Sequence, residues 1–309
     1  MRGHELGDGQ GGVWTAAQAR AAGLTAEQVR RGRERGEWQA VRRGVHLSGG
    51  VEPGPDPRAW AAVLAAGGPG RAVAVGRTAA RLHGLPLVDD DDAALGRREL
   101  EHDDVAVSTT RRGGPTLHTH AWSYAPPDLG SIRGCPTASL RRTLWDLRLV
   151  LRPDALVCVL DAALHSSRVT REELAASAVA GARGCRAFRT AVGLADGRAE
   201  SPLETLVRLL LLPVVPGLVP QVEVHDASAR LLARVDLGDE RLQLAVEADG
   251  RSHDGDVALR RDRDRERRVG WTFERLSWYD ARRQPVATTA RVADTAARLE
   301  AAARLRSTA

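Results

Sequence analysis

The 309-residue chain contains no lysine, and all 45 of its basic residues are arginine. Cysteine is scarce: Cys135, Cys158 and Cys185 are odd in number and more than twenty residues apart. That spacing excludes a disulfide framework and a zinc knuckle. Long apolar runs are missing too. The most apolar stretch, Leu203 to Pro220, holds Glu204 and Arg208 and is cut by Pro213 and Pro216, whereas a bilayer span needs about 20 uninterrupted apolar residues. The first residues, with Arg2, Glu5 and Asp8 among glycines, lack the apolar stretch of a signal peptide. No membrane association and a cytoplasmic location are therefore expected. There is no G-x-S-x-G elbow, no Walker phosphate loop and no internal repeat, and the glycine-rich run Gly7 to Gly12 follows no strand and reads as a flexible terminus.

What is present is ordinary globular material. Apolar residues make up 43% of the chain, enough to bury a core, and the length suits about two domains of 100 to 200 residues. The net charge of +5 is carried by a planar fork that matches phosphate oxygens and guanine edges, which makes nucleic acid the leading partner class.

Near the N-terminus two capping boxes follow each other. Thr15-Ala-Ala-Gln18 starts one helix that Gly23 ends, and Thr25-Ala-Glu-Gln28 starts a second that runs to about Arg35, with Gly36 placed to stop it. Trp38 to Val41, a turn at Arg42-Arg43-Gly44, and Val45 to Leu47 then read as a β-hairpin. Two short helices on a tight turn followed by a hairpin are the pattern of a winged helix-turn-helix. Gln28, Arg31 and Arg35 share a helical face suited to base edges and phosphates, and Arg42 and Arg43 sit at the hairpin turn.

After a Pro/Gly-rich linker at Pro53 to Pro57, the middle predicts helices over 58–66, 77–82, 137–151 and 155–164 and strands over 72–75, 105–108 and 116–121. Asp89 to Asp92 read as a solvated loop. His118 and His120, two apart, share one face of a strand in metal-ligand geometry, with no third ligand in evidence. No chemistry for this region follows from its residues.

The C-terminal part opens with Ser201-Pro202-Leu203-Glu204, serine at N-cap, proline at N1 and glutamate at N3, followed by Leu203, Leu206, Val207 and Leu210 at amphipathic spacing. Glu204 serves either as a capping group or as a functional carboxylate. Strands are predicted over 219–224, 231–237, 242–247 and 270–276, an arginine-rich stretch with interleaved acids from Arg260 to Arg268, and a closing helix over 286–305. Asp236 lies in an apolar strand, and Glu247 and Asp249 share a face of the next. Acids there are costly unless a cation compensates them. A turn centred on Arg241-Leu242 would set Asp236 beside Glu247, where the two could hold Mg²⁺. A turn centred on Asp239-Glu240 would open the pair by about 13 Å, and the turn residues Gly238-Asp239 favour this second register.

Two stretches carry family likenesses. The segment from Val13 to Leu47, with RTAARLHGL and TASLRRTLWDL farther on, resembles the AbiEi-type antitoxin family, which implies a DNA-binding N-terminal domain, operator repression and a possible toxin partner. From about Glu200 to Ala293, ESPLE, RVDL, AVEADGRSH and GWTFERLSWYD resemble the PD-(D/E)XK nuclease superfamily, in its very-short-patch-repair (Vsr-like) branch. That likeness implies Mg²⁺-dependent DNA cleavage with Asp236 and Glu247 as metal ligands, Glu204 or Glu200 as the helix carboxylate, and Asp249 and His253 as pocket residues. Where the superfamily has lysine, this chain has Asp249, so that Arg251 or His253 would have to substitute. The expected architecture is an α+β and α/β chain: a winged helix-turn-helix over 1–52, a mixed middle over 53–198 and a restriction-endonuclease-like α/β sandwich over 199–309. The alternative function is a non-enzymatic antitoxin-like regulator.

Overall fold

A computed structural model of the chain describes residues 3–52, 54–88, 102–107, 116–121, 124–249 and 266–307. It is a mixed α/β protein, with three sheets among the described residues, where no helix is long and apolar enough to cross a membrane. The chain divides into two compact units, one built from Met1–Leu87, Arg97–Leu151 and Glu172–Cys185, the other from Arg152–Arg171 and Arg186–Ala309. The first unit thus holds the expected 1–52 domain together with most of the middle. The boundary expected at 198/199 falls inside the second unit.

After a short α1 (Gly3–Leu6) and β1 (Val13–Thr15), both capping boxes form. Thr15 and Thr25 side chains accept the amides of Gln18 and Gln28, and each glutamine side chain accepts the threonine amide in return at 2.8 Å. They start α2 (Ala16–Ala21) and α3 (Ala26–Glu34). β2 (Trp38–Arg42) and β3 (Val45–Ser48) form the hairpin, and β1 joins it in the antiparallel order β1-β3-β2. Both faces of this small sheet are covered. On one face Trp14 meets Trp38 edge-on at 5.3 Å and stacks on His46, with Ala19 beside them and Leu24 and Val29 against them. On the other, Val13, Val45 and Leu47 enter a separate core with α4 (Pro55–Ala65).

Helix α4 buries Ala59 to Val63 between that sheet and a five-stranded one. Its strands are β4 (Ala72–Ala74), β5 (Asp103–Val107), β6 (Leu117–His120), β7 (Leu129–Ile132) and β8 (Cys135–Ala138), in the order β6-β5-β4-β8-β7 with parallel and antiparallel pairs. α5 (Gly76–Leu82) and α6 (Leu140–Leu147) complete the unit.

The second unit starts from α7 (Pro153–His165); α8 (Arg171–Ala176) and α9 (Cys185–Leu194) follow where the chain passes between units. Next comes α10 (Pro202–Leu211), capped by Ser201 as the sequence predicts. β9 (Val219–His225), β10 (Leu231–Asp239), β11 (Leu244–Ala248) and β12 (Thr272–Leu276) form a sheet in the order β12-β11-β10-β9, antiparallel except for β11 and β12. α11 (Trp278–Arg282) and α12 (Pro285–Ser307) end it. One face of the sheet packs Leu237, Leu244, Val246 and Leu276 against α10 and α12; the other gathers Val222, Val224, Ala233, Val235 and Ala245 with Val269.

Two helical glycines have opposite surroundings. A Cβ at Gly32, in α3, would lie 2.1 Å from the Trp38 ring, whereas one at Gly193, on the exposed side of α9, would meet nothing within 4 Å. Gly193→Ala is expected to raise stability by up to about 1 kcal/mol through helix propensity. Gly32→Ala, the same exchange, is expected to lower it by about 1–3 kcal/mol because overpacking outweighs propensity. Urea denaturation midpoints of the two variants, read against the wild type, check the opposite signs.

Candidate functional site

The register between β10 and β11 decides where the strand acids stand. Leu237 pairs with Val246, Gly238 with Ala245 and Asp239 with Leu244, so the turn centres on Arg241-Leu242 and Asp236 falls across from Glu247. This corrects the register that Gly238-Asp239 favoured as turn residues. Both remain in the strand, because Asp239 is buried and its Oδ1 accepts the Leu242 amide at 3.0 Å, tying the turn two residues farther on. Leu242 is itself buried in the core under α10.

At Asp236 the ladder changes character. Beyond Leu237, the amide of Ala248 donates to Asp236 Oδ2 at 2.8 Å, a side-chain bond in the line of the backbone ladder. Strand β10 also changes sides here: Ala233 and Val235 enter one core, while Leu237, two residues on, enters the other. Opposite Asp236 on β9, between the pairs Val235 with Val222 and Leu237 with Pro220, stands Gln221 with φ 55°. A non-glycine residue in the left-handed region costs of order 1–3 kcal/mol.

That distortion lets Gln221 reach the helix. Its Nε2 donates to Glu204 Oε2 at 2.9 Å, which also accepts the Glu200 amide at 2.9 Å. Glu204 is buried. Burial pushes its pKa up, and the nearby Asp236 carboxylate pushes in the same direction; the hydrogen bonds from Glu200 and Gln221 only partly offset them. Glu200 itself turns outward to Arg234 at 2.8 Å. Glu247 is buried in β11, opposite Arg275 of the parallel β12. Asp249, standing where the nuclease pattern has lysine, has a carboxylate oxygen 3.8 Å from Arg275, which is also bonded to Glu266 at 2.7 Å. The charge at that position is thus reversed and turned toward an arginine. His253 and Arg251 lie outside the described residues, as do Asp89 to Asp92 and most of the arginine-rich stretch. Among the described residues no group of three or more His, Cys, Asp and Glu side chains is arranged to hold a metal.

In the N-terminal segment, Arg31 and Arg35 are exposed and paired with Glu27 and Glu37, each at 2.7 Å. Gln28 spends its side-chain oxygen on the Thr25 cap. Arg43 is exposed at the hairpin turn. Arg42 points inward instead, to a fully buried Asp103 at 2.5 Å. The three cysteines are buried and free, and burial pushes the Cys135 thiol up to about 12, which leaves it inert as a nucleophile.

Sequence reasoning missed the acids of β5, because it began that strand at Val105. Asp103 and Asp104 are both completely buried. Asp103 takes Arg42, Arg58 and Arg81. Asp104 takes His120 at 2.9 Å, His118 at 3.6 Å and the Arg77 amide at 3.1 Å, so the two histidines flank a carboxylate that their spacing alone did not reveal. An Asp-Asp pair leading into an apolar strand was the available signal.

The folded state holds a proton on Glu204 more readily than the unfolded chain does, so stability contributed by this site is fully present below the ordinary glutamate pKa and is lost as pH rises from there through the raised value of the folded state. Glu204→Gln keeps the burial without the charge. Its stability relative to wild type is expected to improve steadily with rising pH in chemical denaturation; a difference that is flat with pH, or of opposite slope, contradicts this account of the site.

No family model matches the chain. Over 233 residues, 72% of its length, it is 31% identical to Uncharacterized protein MT2308 of Mycobacterium tuberculosis (strain CDC 1551 / Oshkosh), of which it covers 81%. The same identity and coverage hold for Uncharacterized protein Rv2248 of the H37Rv strain. With a match of that extent, the chain belongs to the same family as these two mycobacterial proteins.

Proposed function

We propose that the protein binds DNA through residues 1–52, folded as a winged helix-turn-helix, and that residues 199–309 are a restriction-endonuclease-like domain that hydrolyses DNA phosphodiesters with Mg²⁺. The observation that carries the reading is the β10–β11 register, which sets Asp236 across from Glu247 while α10 brings Glu204 near Asp236.

The donor set fits a hard divalent cation in its chemistry: two carboxylates facing each other on adjoining strands, with Glu204 close enough to Asp236 to feel its charge. Asp236 and Glu247 would hold the ion, which when bound polarises the phosphate and activates water. The chain's own groups prepare the site. The Ala248 amide fixes one oxygen of Asp236. Gln221 and the Glu200 amide hold Glu204 in one orientation. His253 is the proposed general base, and Asp249 a pocket residue rather than the cation its position ordinarily supplies. On the N-terminal side, α3 offers Arg31 and Arg35 to phosphates or base edges, with Arg43 reaching the backbone from the hairpin. Gln28 contributes only its amide nitrogen, and Arg42, turned to Asp103, contributes least.

A second reading is a non-enzymatic antitoxin-like regulator, with DNA and a toxin protein as partners. The specific observation in its favour is Asp249, whose negative charge would oppose a phosphate where the nuclease pattern has lysine.

Incubation of mixed-sequence DNA with Mn²⁺ or Mg²⁺ distinguishes the two. On the nuclease reading the wild type cleaves, and Asp236→Ala/Glu247→Ala loses well over the roughly 10- to 100-fold that a supporting residue around a metal is worth. Intact DNA in every condition, together with loss of DNA binding on Arg31→Ala, selects the regulator.

A further inference from the structure

The first unit contains a cavity of about 600 Å³ lined by Arg42, Arg58, Arg81, Asp103 and Thr116 and by apolar groups, Val13, Leu47 and Ala61 among them. Its size falls in the range of small-molecule sites, about 300–1,000 Å³. We propose that it is a binding site for a small organic anion, a phosphate or carboxylate carried on an apolar group. This inference is independent of the reading of residues 199–309.

Charge is the first argument. Among the described residues Asp103 is the one carboxylate in the lining, and three guanidiniums from three elements converge on it: Arg42 of β2 at 2.5 Å, Arg58 of α4 at 2.8 Å and Arg81 of α5 at 2.8 Å. Among the described residues Arg42 and Arg58 have this one carboxylate between them, and it cannot neutralise both; the neighbouring Asp104 is engaged by Arg77, His118 and His120. Burial, and after it the charge of Arg58, makes the cationic form of Arg81 less favourable than in water. An added anion relieves that repulsion.

Geometry is the second. Arg58 gives its Nε to Asp103 and keeps about a third of its side-chain surface exposed. Its terminal nitrogens form no hydrogen bond among the described residues. Both belong to a planar fork that binds carboxylate or phosphate oxygens in pairs. Thr116, whose hydroxyl accepts from Arg42 at 3.3 Å, supplies a further polar contact. The third argument is the apolar part of the lining. Val13, Leu47 and Ala61 belong to the buried core of the sheet and helix, so a bare inorganic ion would leave most of the cavity unfilled, whereas an aryl or alkyl group would bury against Leu47 and Ala61.

Calorimetric titration of the full chain with 1-naphthyl phosphate, 1-naphthoate, neutral 1-naphthol and inorganic phosphate tests the proposal. One or both naphthyl anions are expected to bind at least about tenfold more tightly than naphthol and than inorganic phosphate; which of the two is tighter identifies the head group. Arg58→Gln is expected to cost the anion at least about tenfold while leaving naphthol unchanged. Asp103 keeps Arg42 and Arg81 in that variant. A second variant, Val41→Trp, fills the mouth from a residue 40% exposed in the folded chain and so leaves the core intact; it is expected to abolish binding. The proposal is overturned if naphthol binds as tightly as the anions, or if both variants bind naphthyl phosphate as the wild type does.

Discussion

A carboxylate removed entirely from water must be compensated, and in the first unit that requirement organises three separate pieces of chain. Asp103, at the start of β5, has no solvent exposure and draws Arg42 from the hairpin, Arg58 from α4 and Arg81 from α5. Leaving such a charge unpaired costs about 3–5 kcal/mol, which is a large part of the stability of an ordinary domain. The N-terminal hairpin is therefore held to the five-stranded sheet by an ionic contact as well as by the apolar core that α4 shares between the two sheets. Residues 1–52 and the five-stranded sheet thus belong to one compact unit with a shared core.

In the second unit the organising element is α10, which has no idle face. Leu203, Val207 and Leu211 enter the sheet core. Thr205 and Arg208 bind the buried Asp161 of α7 at 2.7 and 3.0 Å. Glu204, one turn from the N-terminus, turns to Gln221 and the neighbourhood of Asp236. A carboxylate placed by a helix so constrained has little rotational freedom to lose when it acts, the condition under which fixed groups are useful in catalysis.

Much of this was legible in the sequence, and the successes share a cause. The capping boxes at Thr15 and Thr25, the Ser201-Pro202 start of α10 and its leucine spacing are local patterns, decided by residues within one or two turns of each other, and all form as read. The errors involve longer range. Gly238-Asp239 has turn chemistry, yet the turn lies farther on, because the Asp239 side chain is buried and bound to the Leu242 amide. Arg42 reads as a surface cation beside a hairpin turn, yet it is recruited by an acid 61 positions away. The histidines of β6 read as a pair without a third partner until the neighbouring strand brings Asp104 between them. In each case a buried polar group chose its partner across the fold, and no window of local sequence contains that choice.

The change of side at Asp236 has a mechanical consequence. Ala233 and Val235 are anchored in one core and Leu237 in another, so β10 is clamped on both sides of a single residue whose opposite neighbour, Gln221, is already twisted into an uncommon backbone conformation. Packing on both sides opposes rotation of the strand at that point, and the Ala248 amide bonded to Asp236 Oδ2 holds the side chain as well, so the acid is presented from a backbone already committed to one geometry.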